Sequence, residues 1–62
     1  MRVMIPVYTD RWMMGDTHGD VVKVTKTRKV NGNYPIGTEI AHVKLDKSGK
    51  TMRYLLDDCT EV

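Results

Sequence analysis

Residues 41–56, with the sequence AHVKLDKSGKTMRYLL, form two alternating runs of apolar and polar side chains around Ser48-Gly49. A period of two residues is typical of a strand with one buried face, and a small turn pair between two such runs is typical of a tight turn. The segment therefore predicts an antiparallel β-hairpin. This hairpin constrains the fold more than any other part of the chain.

The register of the hairpin follows from the turn that joins its strands. A two-residue turn at positions 48–49 places Val43 opposite Tyr54 on the core face and Lys44 opposite Arg53 on the other face. A bulge at Gly49 instead shifts the register by one residue and places Val43 opposite Arg53. The first arrangement matches apolar with apolar side chains, and we favour it, although serine is a poor residue for the positive φ of a type I′ turn.

The rest of the chain continues the β pattern. Alternation and β-branched residues predict five strands at about residues 2–8, 21–27, 38–46, 51–56 and 60–62. Residues 9–20 have the glycine and aspartate content of a long loop, and residues 57–59 resemble one short helical turn. In the second strand we expect Val22 and Val24 to point into the core, and near the end we expect Cys59 and Val62 to be buried.

Length and cysteine content place limits on the class of protein. The 62 residues are enough for one small domain, residues 1–62, and the single Cys59 excludes an intramolecular disulfide. A lone thiol fits a reducing cytoplasm, and no apolar run is long enough for a membrane span or a signal peptide. The chain opens at Met1, and its brevity leads us to expect a short open reading frame from a prokaryote or one of its viruses.

Charge is segregated along the chain although the net charge is only +2. Residues 23–53 have a net charge of +6, whereas the rest of the chain has a net charge of −4. Such asymmetry is typical of proteins with an anionic partner on one side. Exposed lysines that solvate a sheet face and protect its edges explain the same pattern, so both interpretations remain open.

The order of elements carries a resemblance. A strand, a long loop, a strand, a connection, a tight hairpin, a helical turn and a closing strand resemble the five-stranded SH3-like small barrel. The stretch Gly15-Asp16…Gly19-Asp20-Val21-Val22-Lys23-Val24 is similar to the opening of KOW and Tudor-type barrels. The resemblance implies an all-β fold with a long first loop, in a fold that hosts DNA binding, RNA binding and peptide recognition. Fold alone does not give function.

The basic side chains are the first candidate site. Lysine and arginine on a sheet can neutralise phosphates, which gives sequence-independent affinity for DNA or RNA. We therefore expect a small nucleic-acid-binding accessory module whose phosphate contacts come from Lys23, Lys26, Arg28, Lys29, Lys44 and Arg53. The alternative is that these residues form an ordinary solvated face.

A second candidate surface is apolar. Tyr8, Trp12, Met13 and Met14 lie in or beside the long loop, and methionines suit adaptable contact surfaces. They predict a protein–protein interaction or a homo-oligomer as the alternative function. A core lid made by Trp12 and one methionine explains the same residues, and at least one of these side chains should fold over the core.

Catalytic and metal-binding patterns are weak in this sequence. Asp16, His18 and Asp20 lie within five residues in a glycine-containing loop, but their spacing matches no metal loop, and an exposed turn explains them. Cys59 is a nucleophile only if a base lowers its pKa. We find no phosphate-binding glycine loop, no catalytic triad and no pair of catalytic carboxylates, so we expect neither an enzyme nor a metal or other cofactor.

Overall fold

The computed structural model describes residues 1–28 and 34–62. Its elements, in chain order, are β1 (Arg2–Met4), α1 (Asp10–Met13), β2 (His18–Lys26), β3 (Glu39–Leu45), β4 (Thr51–Leu55), a 3-10 helix (Leu56–Asp58) and β5 (Thr60–Glu61). The protein is mostly β, as the alternating pattern predicts. The predicted Asn31-Gly32 turn lies outside the described residues.

All five strands belong to one antiparallel sheet with the order β4-β3-β2-β1-β5. Strands β2, β3 and β4 form a meander, and β1 pairs with both β2 and β5. Within residues 1–28 and 34–62 no ladder joins β4 to β5, so the sheet is open at both of these strands. The expected all-β class is confirmed, while a closed barrel is not formed by these ladders.

The hairpin of β3 and β4 forms as predicted, but its register differs from both alternatives. Ala41 faces Tyr54, Val43 faces Met52 and His42 faces Arg53, which is a shift of two residues from the favoured arrangement. The predicted pairing of Lys44 with Arg53 is therefore wrong. A shift of two residues leaves every side chain on its expected face because strand side chains alternate with a period of two.

The shift comes from a four-residue loop in place of the expected two-residue turn. Leu45 donates its N–H to the carbonyl of Lys50 (2.9 Å), and Gly49 donates its own to the carbonyl of Leu45 (3.0 Å). Gly49 takes the left-handed conformation with a φ of +72°, whereas Ser48 keeps a negative φ. Glycine alone accepts this conformation without a steric penalty, so the loop closes at Gly49 and not at a Ser-Gly pair.

A buried carboxylate from the first connection, 31 residues earlier in the sequence, holds the hairpin loop. Asp16 is 3% exposed, and its two oxygens accept the backbone N–H groups of Lys47 (3.0 Å) and Ser48 (3.2 Å). Lys47 returns a hydrogen bond from Nζ to the carbonyl of Met14 (3.1 Å). The long first connection and the hairpin loop are thus fixed to each other.

Strand β2 contains a bulge that reverses its alternation. Val21 faces Val43, but two residues later Lys23 faces His42, so Val22 is the extra residue. Val22 is 59% exposed and Val24 is 43% exposed, so the prediction that both valines are core residues is wrong. Val24 does lie opposite buried Ala41, which means that the core ends before the far end of β2.

The core is small and lies on the inner face of the sheet. Its fully buried members are Val3, Ile5, Ala41, Val43 and Leu45. Partly buried side chains pack around them: Trp12, Val21, Met52, Tyr54, Leu56 and Cys59. Trp12 therefore folds over the core as expected, and Cys59 is half-buried against it, whereas Val62 is 64% exposed and is not a core residue.

Strands β1, β2 and β3 approach closely at Gly19. This residue faces Val3 on β1 and Leu45 on β3. A Cβ atom at Gly19 would lie 2.4 Å from the carbonyl oxygen of Lys44 and 2.7 Å from a methyl carbon of Val43. Only glycine fits between the neighbouring strands at this position.

The predicted long first loop contains a one-turn helix, α1. Thr9 is its N-cap, because its Oγ1 accepts the N–H of Trp12 (3.3 Å) and donates to the carbonyl of Pro6 (2.8 Å). Asp10 lies in the first turn, where a negative charge favours the helix dipole. The helix turns Trp12 toward the core.

Candidate functional site

A row of three basic side chains crosses the outer face of the sheet. Lys23 on β2 faces His42 on β3, and His42 faces Arg53 on β4. Directly opposed residues on neighbouring strands are about 5 Å apart, so the three groups span roughly 10 Å. We call Lys23, His42 and Arg53 the basic row.

The members of the basic row differ in exposure. Lys23 and Arg53 are exposed, whereas His42 is half-buried and its Nε2 lies 2.9 Å from the Oγ1 of Thr25. Lys23 and Arg53 carry like charges on the same face with the imidazole between them, so an anion bound there is attracted to both. The row is thus a surface on which an anion stabilises the local charge pattern.

Two further predicted bases face carboxylates. Lys44 lies opposite Asp20, and Lys26 lies opposite Glu39. Asp20 also accepts a hydrogen bond from Arg2 (3.4 Å). The positive charge of Lys44 and of Lys26 is partly offset by these neighbours, so the basic row is the more strongly positive part of the sheet.

The remaining two predicted bases lie beyond β2. Arg28 is exposed and follows the end of β2 by two residues. Lys29 lies outside the described residues. Of the six predicted bases, the structure therefore brings two, Lys23 and Arg53, into one row with His42, which the sequence analysis did not include among the phosphate-binding residues.

A pocket of about 470 Å³ lies beside the basic row. Three tyrosines and two bases line it, together with the cross-strand row formed by Thr25, Ile40 and Leu55. The tyrosines are Tyr8, Tyr34 and Tyr54, and the bases are Lys26 and Arg53. We call this space the tyrosine pocket.

The tyrosines have different environments. Tyr8 is 71% exposed and donates its hydroxyl to Asp58 (2.7 Å), which raises the pKa of the phenol. Tyr54 is half-buried against the core, and burial raises the pKa of its hydroxyl. Both phenols therefore remain neutral near pH 7, and neither adds negative charge to the pocket.

The acidic and imidazole groups of the first connection do not converge. Asp16 is buried at the hairpin loop, where hydrogen bonds from the Ser48 hydroxyl and from the amides of Lys47 and Ser48 hold the pKa of this carboxyl below its ordinary value. The Nδ1 of His18 lies 2.8 Å from its neighbour's hydroxyl, Oγ1 of Thr17. Across residues 1–28 and 34–62 no three His, Cys, Asp or Glu side chains are grouped as metal ligands.

The predicted apolar surface is divided by the structure. Trp12 packs against the core, whereas Met13 and Met14 are 80% and 63% exposed. Tyr8 lines the tyrosine pocket instead of joining these methionines there. Cys59 is half-buried, and burial raises the pKa of its thiol, which lowers the thiolate fraction that a nucleophile needs.

Sequence reasoning did not bring the three tyrosines together. They lie at positions 8, 34 and 54, in segments with no shared motif, so their meeting depends on the fold. The ion pair of Arg2 with Asp46 was also missed. It joins residues 44 apart through contacts of 2.8 and 2.7 Å, and both side chains are about half exposed.

Comparison of the chain with protein-family models, with curated proteins and with solved structures finds no match. The described part of the chain contains no helix with the length and apolar character needed to cross a bilayer. The functional assignment therefore depends on the geometry of the basic row and of the tyrosine pocket.

Proposed function

We propose that this protein is a cytoplasmic nucleic-acid-binding accessory module with an SH3-like architecture and little sequence preference. The observation that carries the proposal is the basic row, in which Lys23, His42 and Arg53 face one another across three strands with no carboxylate in the row. A phosphate chain that crosses the strands meets these groups in succession. Contacts of this kind neutralise the backbone and do not distinguish bases.

The strand order supports the architectural part of the proposal. Strand β1 lies between β2 and β5, and the meander of β2, β3 and β4 continues from it. A 3-10 helix precedes the last strand, at the position where the SH3-like resemblance implies a short helical turn.

The distribution of acidic side chains supports docking through the basic row. Asp57 and Asp58 are exposed in or beside the 3-10 helix, and Asp16 is buried and holds the hairpin loop. Asp20 and Asp46 are engaged with Arg2. No carboxylate belongs to the basic row itself, so a phosphate chain meets little local repulsion there.

A salt titration tests the proposal. Fluorescence anisotropy with labelled single-stranded and duplex oligonucleotides would follow affinity from about 50 to about 200 mM salt. Two cationic contacts, from Lys23 and Arg53, give a slope of about −1.4 for a single strand, which is roughly a sevenfold loss of affinity over that range. Absence of binding to both probes at low salt would reject the proposed function.

A pair of charge reversals separates the basic row from net charge. Arg53→Glu removes one member of the row, and Lys50→Glu changes the net charge equally at the exposed end of the hairpin loop. We expect Arg53→Glu to weaken binding severalfold more than Lys50→Glu and to make the salt slope shallower by about one contact. Equal effects would show that binding follows only the total charge.

A protein-interaction role remains the second candidate, since Met13 at the end of α1 and its C-cap Met14 are 80% and 63% exposed. Exposed methionines suit an adaptable contact. If this surface mediates self-association, sedimentation shows a concentration-dependent dimer that Met13→Lys dissolves. Trp12 is unsuitable for this test because it packs against the core.

A further inference from the structure

The tyrosine pocket and the basic row share a residue. Arg53 belongs to the basic row and also lines the pocket, so the two features form one continuous surface. The volume of about 470 Å³ lies within the range of roughly 300–1,000 Å³ that is typical of small-molecule sites. A ligand with both a phosphate and a ring can therefore use both features at once.

The charge of the pocket selects among ring-shaped ligands. Lys26 and Arg53 line it, and no carboxylate does. Two carboxylates adjoin the lining residues: Asp58 accepts the Tyr8 hydroxyl, and Glu39 faces Lys26 across the strands. An organic cation would meet two like charges, whereas a ring attached to a phosphate would meet complementary ones.

We infer that the tyrosine pocket holds an unpaired base of single-stranded nucleic acid while the adjoining phosphates lie on the basic row. This inference rests on the proposed function and adds to it a preference for single strands. Tyrosine rings provide stacking surfaces that accept any base, because every base has a π-face.

Base pairing opposes entry into the pocket. In a duplex both faces of a base are stacked, and extruding one base costs free energy before any contact forms. A single strand has no pairing to break. The same phosphate contacts are available to both forms, so the pocket is the feature that separates them.

The decisive probe is a strand that keeps its phosphates and lacks its bases. Binding of a single-stranded 12-mer is compared by anisotropy with binding of an abasic strand of equal length and charge, both at low salt. We expect the strand with bases to bind at least about tenfold more tightly, the size of one base–aromatic stack. The duplex should fall close to the abasic strand.

Substitutions at Tyr8 test whether its ring causes the difference in affinity between the base-containing and abasic strands. Tyr8 is 71% exposed, so its replacement leaves the core intact. Tyr8→Phe removes the hydrogen bond to Asp58 but keeps the ring, and Tyr8→Leu removes both. We expect Tyr8→Phe to keep most of the preference for bases and Tyr8→Leu to reduce it severalfold, with abasic binding unchanged in both.

The outcomes separate this inference from the proposed function. Equal, salt-sensitive binding of the abasic and base-containing strands overturns the pocket assignment and leaves phosphate binding in place. A preference for bases that the double variant Tyr8→Leu/Tyr34→Leu keeps in full also overturns it, because Tyr54 packs against the core and the stacking then occurs outside the pocket. Absence of binding to either strand overturns both proposals.

Discussion

Replacement of Gly19 by alanine tests how closely the backbones of β2 and β3 approach each other at this position. A Cβ atom at this position would lie 2.4 Å from the carbonyl oxygen of Lys44 and 2.7 Å from a methyl carbon of Val43. Gly19 does not have a positive φ, so alanine would be favourable there if space allowed. Backbone propensity therefore predicts that Gly19→Ala stabilises the protein, whereas packing predicts that it destabilises the protein.

The magnitude follows from what must move. Backbone of β2 and β3 must separate to accommodate the methyl group, and forced overpacking of this kind costs about 1–3 kcal/mol. A ladder hydrogen bond stretched by the separation adds about 1 kcal/mol, for a total near 3 kcal/mol. At roughly 4–8 °C per kcal/mol in a domain of this size, the melting temperature should fall by about 12–24 °C.

Thermal unfolding followed by circular dichroism measures the effect against two comparison variants. Gly49→Ala meets no atom within 4 Å but has a φ of +72°, so it should cost only the backbone strain of about 1–2 kcal/mol. Val43→Ala combined with Gly19→Ala should not restore stability, because the contact with the Lys44 carbonyl remains. A Gly19→Ala protein that melts at or above the wild-type temperature would refute the close approach.

Three further predictions follow from the ionisable groups. Asp16→Asn should lower the melting temperature more than Asp57→Asn. Because the fold depresses the pKa of Asp16, its carboxylate stabilises the protein fully above the ordinary pKa of 3.8, and this stabilisation is lost as pH falls through the lower folded value. If Asp16→Asn lost stability in acid as steeply as the unsubstituted protein, this reasoning would be contradicted. A double-mutant cycle of Arg2→Ala and Asp46→Ala should show a coupling that high salt weakens, and a salt-independent coupling would contradict the exposed ion pair. Cys59 should react with a thiol reagent more slowly in the folded protein than in urea at pH 8, since burial raises its pKa; equal rates would refute its burial.

Local alternation predicted five strands but neither all of their bounds nor the hairpin register. Strand β1 ends at Met4 instead of near residue 8, and β2 begins at His18, within the predicted loop. The apolar and polar faces of β3 and β4 could be assigned because a period of two is a local property. The register depends on a loop that Asp16 holds from 31 residues away, and no local pattern reports that contact. The same reasoning explains why Asp16, with its loop-like neighbours, was expected to be exposed.

The helix α1 and the tyrosine pocket show two different reasons for a missed feature. Thr9 before Asp10 is a capping signal, but a helix of four residues is too short to display a helical period. The pocket has no signal of that kind, because Tyr8, Tyr34 and Tyr54 come from separate segments. The sequence shows the three tyrosines, but only the folded structure shows that they line the same pocket.

The bulge in β2 determines which face of the sheet carries the positive charge of Lys23. Val21 lies on the inner face opposite Val43, and after the extra residue Val22, Lys23 lies on the outer face opposite His42. If Val22 were instead part of a regular ladder, it would face His42, and Lys23 would face buried Ala41 on the inner side of the sheet. The outward position of Lys23, and with it the basic row, therefore depends on the bulge at Val22, a residue that carries no charge.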